Sequence, residues 1–207
     1  MNRIAATALA LLLAACSKAA PPAPAASASD AAVDAATGGA SDTGDAPAAA
    51  GTGPVSRYTQ LKQCKLVESG KDEDWSDSSC QGPGGYSLIL AYGDARDDLQ
   101  VIRPGQKPTE LGLPYLAGGG FNTLGDTVEW RGTGAGAAFR PTALIVRNSA
   151  VQDPERPDHA TALLAVIDLA RACVIAQIKP GPGQNEQARA VADGAQQPCL
   201  KWAGSAE

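Results

Sequence analysis

Short apolar or alternating runs, separated by turn residues, occupy the chain from residue 87 to residue 178. Runs of this length between clusters of Gly, Asp and Pro are typical of strands joined by hairpins, and not of alternating strands and helices. We therefore predict an antiparallel sheet of about six or seven strands, with consecutive runs paired. The runs are 87–92, 98–102, 127–131, 142–147, 160–169 and 172–178.

One of these runs is apolar without interruption, at Ala162-Leu163-Leu164-Ala165-Val166-Ile167. A strand of that kind needs apolar cover on both faces. The one good helix candidate is 186–192, with Asn185 as its N-cap and Gly194 as its C-terminal stop. The predicted fold class is therefore α+β: an antiparallel sheet with one C-terminal helix packed on it, held by two disulfides.

The start of the chain reads as a targeting signal. Arg3 precedes an apolar segment of about ten residues, which is shorter than a membrane span of about 20 residues. The segment ends in Leu13-Ala14-Ala15-Cys16, which resembles the lipobox of bacterial lipoproteins. That resemblance implies cleavage after residue 15, a lipid anchor on Cys16 and, from Ser17 in the next position, an outer-membrane protein facing the periplasm. An ordinary secretory signal with an incidental cysteine is the alternative.

A change of composition near residue 54 divides the mature chain into two parts. Residues 16–54 are rich in Ala, Pro, Ser, Gly and Asp, and every Phe, Trp and Tyr falls later. A segment without large apolar side chains cannot offset the entropy of ordering, so 16–54 is predicted to be a disordered tether after the lipidated cysteine. Residues 55–207, roughly 150 in number, have the usual size of one globular domain.

Four cysteines remain once Cys16 is assigned to the lipid. An even number in an exported chain indicates two disulfides. We favour Cys64 with Cys80 and Cys173 with Cys199, because each pair brackets one loop-rich segment. Metal binding by the four thiols is the alternative, but the chain has no C-x-x-C spacing.

Charged side chains alternate with apolar ones on two neighbouring predicted strands. Glu129, Arg131 and Arg147 should share one face of the sheet, with Arg96 nearby if the hairpins stack. These residues could form a recognition surface that grips a carboxylate-bearing partner. The alternative is a solvated face with weak ion pairs.

Trp75 is a second binding candidate. It stands in the acidic segment Asp72-Glu73-Asp74-Trp75-Ser76-Asp77. An indole among acidic and hydroxyl residues is either folded inward or displayed for a partner. The acidic segment lacks the glycine and the final glutamate of an EF-hand, so we predict no calcium site there.

Several function classes find little support in the sequence. His159 is the only histidine, and no Gly-x-Ser-x-Gly accompanies it, so we assign no catalytic residue. The net charge is −5 and the basic residues are scattered, which makes nucleic acid an improbable partner. We predict no cofactor and no metal.

Three segments of the chain carry a further resemblance. Glu129-Trp130-Arg131 and Ala143-Leu144-Ile145-Val146-Arg147, with Cys173-Val174-Ile175-Ala176, resemble an uncharacterised group of exported proteobacterial proteins. That resemblance implies no activity.

Together these features favour a membrane-anchored, periplasm-facing lipoprotein that is a non-enzymatic binding or accessory module. An inhibitor or immunity protein acting on a cell-wall enzyme would fit, and its partner would be an envelope protein or peptidoglycan. The alternative is an envelope hydrolase that uses carboxylates such as Glu129 and Asp126. A raised pKa of either carboxyl, in a cleft, would support the hydrolase.

Overall fold

The computed structural model describes residues 53–71, 73–153 and 155–205. The predicted lipid site at Cys16 and almost all of the predicted tether lie outside these residues. Ten strands and two α-helices form the described part, α1 at Leu113–Leu116 and α2 at Gln184–Asp193. The strands are β1 Val55–Gln60, β2 Lys65–Ser69, β3 Trp75–Gln81, β4 Ser87–Gly93, β5 Arg96–Ile102, β6 Pro108–Glu110, β7 Asn122–Thr133, β8 Arg140–Val151, β9 Ala160–Asp168 and β10 Cys173–Ile178.

The strands form two sheets of five, and every pairing is antiparallel. The first sheet has the order β1-β7-β8-β9-β10, and the second has the order β2-β3-β4-β5-β6. The prediction of one sheet with about six or seven strands is therefore wrong in number and layout, although the antiparallel hairpins, the C-terminal helix and the two disulfides are present. Strands β1, β2, β3 and β6 were not predicted, because they are rich in polar residues; β2 and β6 are largely exposed, and β1 and β3 are mostly half-buried.

The core lies between the two sheets. The alternation of β7 and β8 turns Val128, Trp130, Leu144 and Val146 to one side, where they pack with Leu88, Leu99 and Val101 of the second sheet. All of these side chains are buried. Burial of that apolar surface is the main term that stabilises the sandwich.

Helix α2 covers the other face of the first sheet. Ile145, Leu164 and Val166 of this face pack with Ala188 and Val191 of the helix. Strand β9 thus lies between the second sheet and α2, which confirms the two-sided cover that its continuous apolar run predicted. The order of layers is second sheet, first sheet, helix.

The bounds of α2 differ slightly from the prediction. The helix begins at Gln184, and its N-cap is Gly183 with φ 70°, not Asn185. Glycine adopts this left-handed conformation without steric cost, and no side chain caps the first turn. The predicted stop is confirmed, because Gly194 follows the last helical residue.

Both predicted disulfides are present, Cys64–Cys80 and Cys173–Cys199. The first joins the residue before β2 to the end of β3 and so closes a loop that contains β2. The second fastens the C-terminal tail to β10, where the Leu200 N–H also donates to the carbonyl of Val174 at 2.8 Å.

A buried polar network joins the two sheets. The Asn122 amide donates to Asn148 Oδ1 at 2.9 Å, and the Asn148 amide donates to the Leu113 carbonyl at 3.1 Å. Both asparagines are buried. The Asp98 carboxylate of β5 accepts from the backbone N–H groups of Gly112 and Leu113, each at 3.0 Å, and so positions the start of α1.

Asp98 predicts a pH-dependent contribution to stability. Burial, and then the charge of Glu110, raise its pKa more than its backbone hydrogen bonds lower it. A carboxyl whose folded pKa exceeds its unfolded value of about 3.9 stabilises the fold at low pH, and this contribution is lost as pH rises through the folded pKa. The loss in unfolding free energy on Asp98→Asn should therefore be larger at pH 3.5 than at pH 7 in urea titrations.

The matched control is Asp126→Asn, since the Asp126 side chain is 65% exposed. This variant should show no such trend. A cost of Asp98→Asn that grows with pH would contradict the assignment.

Candidate binding site

The face of the first sheet that carries α2 also carries the charged residues predicted from the alternation. Glu129 and Arg131 point away from the core on β7, because Val128 and Trp130 point into it. Arg147 has the corresponding position on β8, beside Val146. The structure thus brings three of the predicted residues to one face, where the helix partly covers them.

Arg131 is fully engaged with the helix. Its Nε donates to Asp193 Oδ1 at 3.1 Å and its Nη2 to Asp193 Oδ2, so the pair is bidentate. Its Nη1 donates to the Ser56 hydroxyl of β1 at 2.5 Å. The Arg131 side chain is only 10% exposed. Arg131 therefore fastens the end of α2 to the sheet, and its donors are not free for a partner.

Glu129 forms a second link to the helix. Its carboxylate accepts from Arg189 Nε at 2.7 Å and Nη2 at 3.1 Å, and from the Ser56 hydroxyl at 2.5 Å. Burial alone would raise the pKa of Glu129, but the hydrogen bonds from Arg189 and Ser56, with the charges of Arg189 and Arg131, outweigh it and lower that pKa. The same hydrogen bond raises the pKa of Arg189, so the pair stays ionised.

Arg147 is different, because it has no carboxylate partner within 4.0 Å among the described residues. Its Nη1 donates to Gln184 Oε1 at 3.2 Å. Gln184 is itself held by two hydrogen bonds from its amide to the carbonyls of Ala162 and Ile178, each at 2.9 Å. The half-buried guanidinium is thus fixed in place without losing its charge.

A small cleft of about 200 Å³ opens beside Arg147. We call it the arginine cleft. Its floor is apolar and buried, and its rim offers hydroxyl, amide and guanidinium groups. The lining residues are Tyr58, Thr127, Glu129, Ile145, Arg147, Leu164, Asn185 and Arg189.

The charges in the arginine cleft do not cancel. Glu129 balances Arg189, whereas Arg147 has no carboxylate within 4.0 Å in the part of the chain that the structure describes. A fixed guanidinium with free donors is suited to bidentate binding of a carboxylate. The cleft can therefore accept an acidic group of a partner with little rearrangement.

This chain matches no protein-family model, no curated protein and no solved structure. Its function therefore has to be argued from the chemistry of its own residues.

The other two predicted binding residues lie elsewhere. Trp75 is half-buried at the start of β3. Its indole N–H donates to the Glu73 carboxylate at 2.9 Å. The ring also lies against Gly70, where an added Cβ would come within 2.4 Å of the indole nitrogen. The indole is thus folded against its own hairpin. Arg96 begins β5 in the second sheet, so it does not share the sheet face of Glu129, Arg131 and Arg147.

Four residues of the site did not emerge from sequence reasoning: Ser56, Tyr58, Arg189 and Asp193. Ser56 and Tyr58 belong to β1, whose pairing with β7 spans more than seventy residues of sequence. Asn185 and Arg189 carried a usable signal, because residues four apart share one face of a helix.

The remaining chemical candidates lie at the surface. The Asp126 side chain is 65% exposed, 3.8 Å from Lys62, and the His159 side chain is 67% exposed beside Asp158. No cluster of three or more His, Cys, Asp or Glu residues that could hold a metal occurs within 53–71, 73–153 and 155–205. In those same ranges, no helix is long and apolar enough to cross a membrane.

Proposed function

We propose that this chain is a lipid-anchored, periplasm-facing binding module of the cell envelope that grips a carboxylate-bearing partner through Arg147. The observation that carries the proposal is the contrast between three arginines on one face. Arg131 and Arg189 are paired with Asp193 and Glu129, whereas Arg147 keeps an uncompensated charge at a cleft. The half-buried guanidinium of Arg147, held by Gln184, is positioned to accept a carboxylate in a charge-assisted contact.

The partner fits one of two sources that share this chemistry, an acidic side chain of an envelope protein or a stem carboxylate of peptidoglycan. A module of this kind acts by occupying its partner, as an inhibitor, immunity or assembly accessory protein does. Glu129 is engaged by Arg189 and Ser56, and its pKa is lowered, which argues against a hydrolase that uses Glu129 as its general acid, since a general acid at neutral pH needs a raised pKa.

Photocross-linking in cells tests the proposal. With p-benzoylphenylalanine at Tyr58 in the full-length chain, ultraviolet light should produce one dominant adduct, either to an envelope protein or to peptidoglycan. Arg147→Met should reduce its yield by about tenfold or more, because a charge-assisted hydrogen bond contributes about 1.5–3 kcal/mol. Arg140→Met, which changes an exposed arginine outside the cleft, should leave the yield unchanged.

Loss of the adduct in both variants, or in neither, would contradict a specific role for Arg147. The mass of the adduct before and after lysozyme digestion decides between the two sources. Lysozyme cleaves glycan strands, so only an adduct to peptidoglycan should lose mass.

Membrane attachment gives a separate test of the proposed anchor. Cys16→Ser should move the protein from the membrane fraction to the soluble periplasmic fraction, since the acyl chains provide most of the membrane affinity. The control variant is Ser17→Ala, which keeps Cys16 and should therefore remain in the membrane fraction. Recovery of the Cys16→Ser protein in the membrane fraction would refute lipidation.

A further inference from the structure

A second cleft, separate from the arginine cleft, lies where the glycine-rich segment before β7 meets the segment after β8. Its volume is about 310 Å³. Sites for small ligands begin at roughly this size, about 300 Å³. Phe121, Val151 and Pro157 provide apolar walls, and Arg96 provides the only formal charge among the residues that line it. We call it the Phe121 cleft.

Phe121 is displayed at this cleft, with 51% of its surface exposed. Its backbone is nevertheless fixed, because its carbonyl accepts from the Val151 N–H at 2.8 Å. A Cβ at Gly120 would lie 2.2 Å from the Val151 carbonyl oxygen, so only glycine permits this approach. The wall is thus preformed, and the aromatic ring offers apolar area at small entropic cost.

Open backbone forms the adjoining side of the cleft. Gly118 and Gly119 have φ values of 108° and 79°, and a Cβ added to either would meet no atom within 4 Å. These two positions leave room beside Phe121 that side chains would otherwise fill.

Arg96 carries an unused donor. Its Nε is buried and has no hydrogen-bond partner in the described part of the chain. The rest of the guanidinium is accessible, because the Arg96 side chain is 31% exposed. Its Nη1 donates to Asp94 at 2.8 Å, but the Asp94 side chain is 79% exposed. An ion pair so exposed is weak and can be exchanged for another carboxylate.

We propose that the Phe121 cleft binds the C-terminal carboxylate of a peptide that ends in a large apolar residue. The carboxylate would bind the Arg96 guanidinium in place of Asp94, and the last side chain would pack on Phe121 and Val151. The charge of Arg96 supplies complementarity to the carboxylate, and the volume suits a terminal side chain and not a folded element. Asp94 then acts as an internal competitor for Arg96.

Isothermal titration of the full-length chain with N-acetyl-Ala-Phe and with its C-terminal amide tests this proposal. The acid should bind at least about tenfold more tightly than the amide, since only the acid offers a charged acceptor. Arg96→Met and Phe121→Ala should each weaken binding of the acid by about tenfold. Asp94→Asn should strengthen it severalfold, because the competing carboxylate is removed.

Two controls separate this site from the proposed function. Arg140→Met should leave binding of the acid unchanged, and Arg147→Met should remove only a weaker second binding step at the arginine cleft, so failure at the Phe121 cleft leaves the arginine cleft untouched, and the reverse also holds. Equal affinity for acid and amide, no effect of Arg96→Met in a protein with wild-type thermal stability, or weaker binding in Asp94→Asn would each overturn the proposal.

Discussion

Replacing Trp130 with alanine should lower the free energy of unfolding by about 3–5 kcal/mol, the largest loss expected from one side chain of this domain. Trp130 is completely buried on β7, between the two sheets. A Cβ at Gly82 would lie 2.5 Å from the indole ring, so the ring rests directly on the backbone there. The alanine variant therefore leaves a cavity that a packed sandwich cannot close.

The indole also has a polar contact that phenylalanine would lose. Its N–H donates to the Thr59 hydroxyl of β1 at 2.9 Å. Trp130→Phe should consequently cost less than the alanine variant, about 1–2 kcal/mol for the reduced packing and the unpaired hydroxyl.

Urea titration followed by circular dichroism measures both losses, and Trp75→Ala is the matched control. Because Trp75 is half-buried at the first position of β3 and outside the core, its removal should cost under about 1 kcal/mol. Equal losses from Trp75→Ala and Trp130→Ala would contradict the two-sheet core.

Replacing Arg131 with methionine should cost about 3 kcal/mol and should loosen α2. The side chain is nearly buried and bridges Asp193 at the end of the helix to Ser56 of β1. Its loss leaves a partly buried carboxylate unpaired, and breaking such a pair from one side costs about 3–5 kcal/mol. The lower end applies because Asp193 can still reach water, its side chain being 22% exposed.

Amide hydrogen exchange shows which part of the domain loses stability in Arg131→Met. Amides near the end of α2, such as that of Val191, should exchange faster in Arg131→Met, whereas those of β4 should change only through the loss of global stability. Arg156→Met is the control, because the Arg156 side chain is 64% exposed and its pair with Asp153 should contribute at most about 0.5 kcal/mol. A uniform increase in exchange across the domain would contradict a local role for Arg131.

Alternation made part of this architecture visible in the sequence. The alternation of apolar and charged residues at 128–131 and 143–147 predicted which side chains face the core. The continuous apolar run of β9 predicted that both faces of this strand are covered by other elements. Local spacing also favoured the correct disulfides. In each case the physical cause acts within one strand or one loop, so a short window of residues contains it.

The division into two sheets depends on contacts that no short window contains. Strand β3, with the residues Trp75-Ser76-Asp77-Ser78-Ser79-Cys80-Gln81, is too polar to read as a strand, and it is ordered through its pairing with β4. Strand β1 joins the first sheet by pairing with β7, more than seventy residues away. The contact of Glu129 with Arg189 likewise spans sixty residues. Sheet membership and the arrangement of charges around α2 therefore follow from tertiary packing.

The same distinction applies to the predicted binding residues. Alternation placed Glu129, Arg131 and Arg147 on one face, but only the position of α2 determines which arginine keeps its charge uncompensated. The helix ends at Asp193 beside Arg131, presents Arg189 to Glu129 and begins at Gln184 beside Arg147. An amide at that last contact, in place of a carboxylate, leaves Arg147 cationic and unpaired.

Side-chain NMR of the arginines in the full-length chain tests this central claim most directly. Titration with N-acetylglycine, a small carboxylate without an apolar side chain, should produce a saturable shift of the Arg147 Nε–Hε resonance, identified by its absence in Arg147→Met. The resonances of Arg131 and Arg189 should stay in place, because their donors are already bound to Asp193 and Glu129. Saturable shifts of Arg131 or Arg189 with Arg147 unmoved, or no shift of any of the three, would contradict the account.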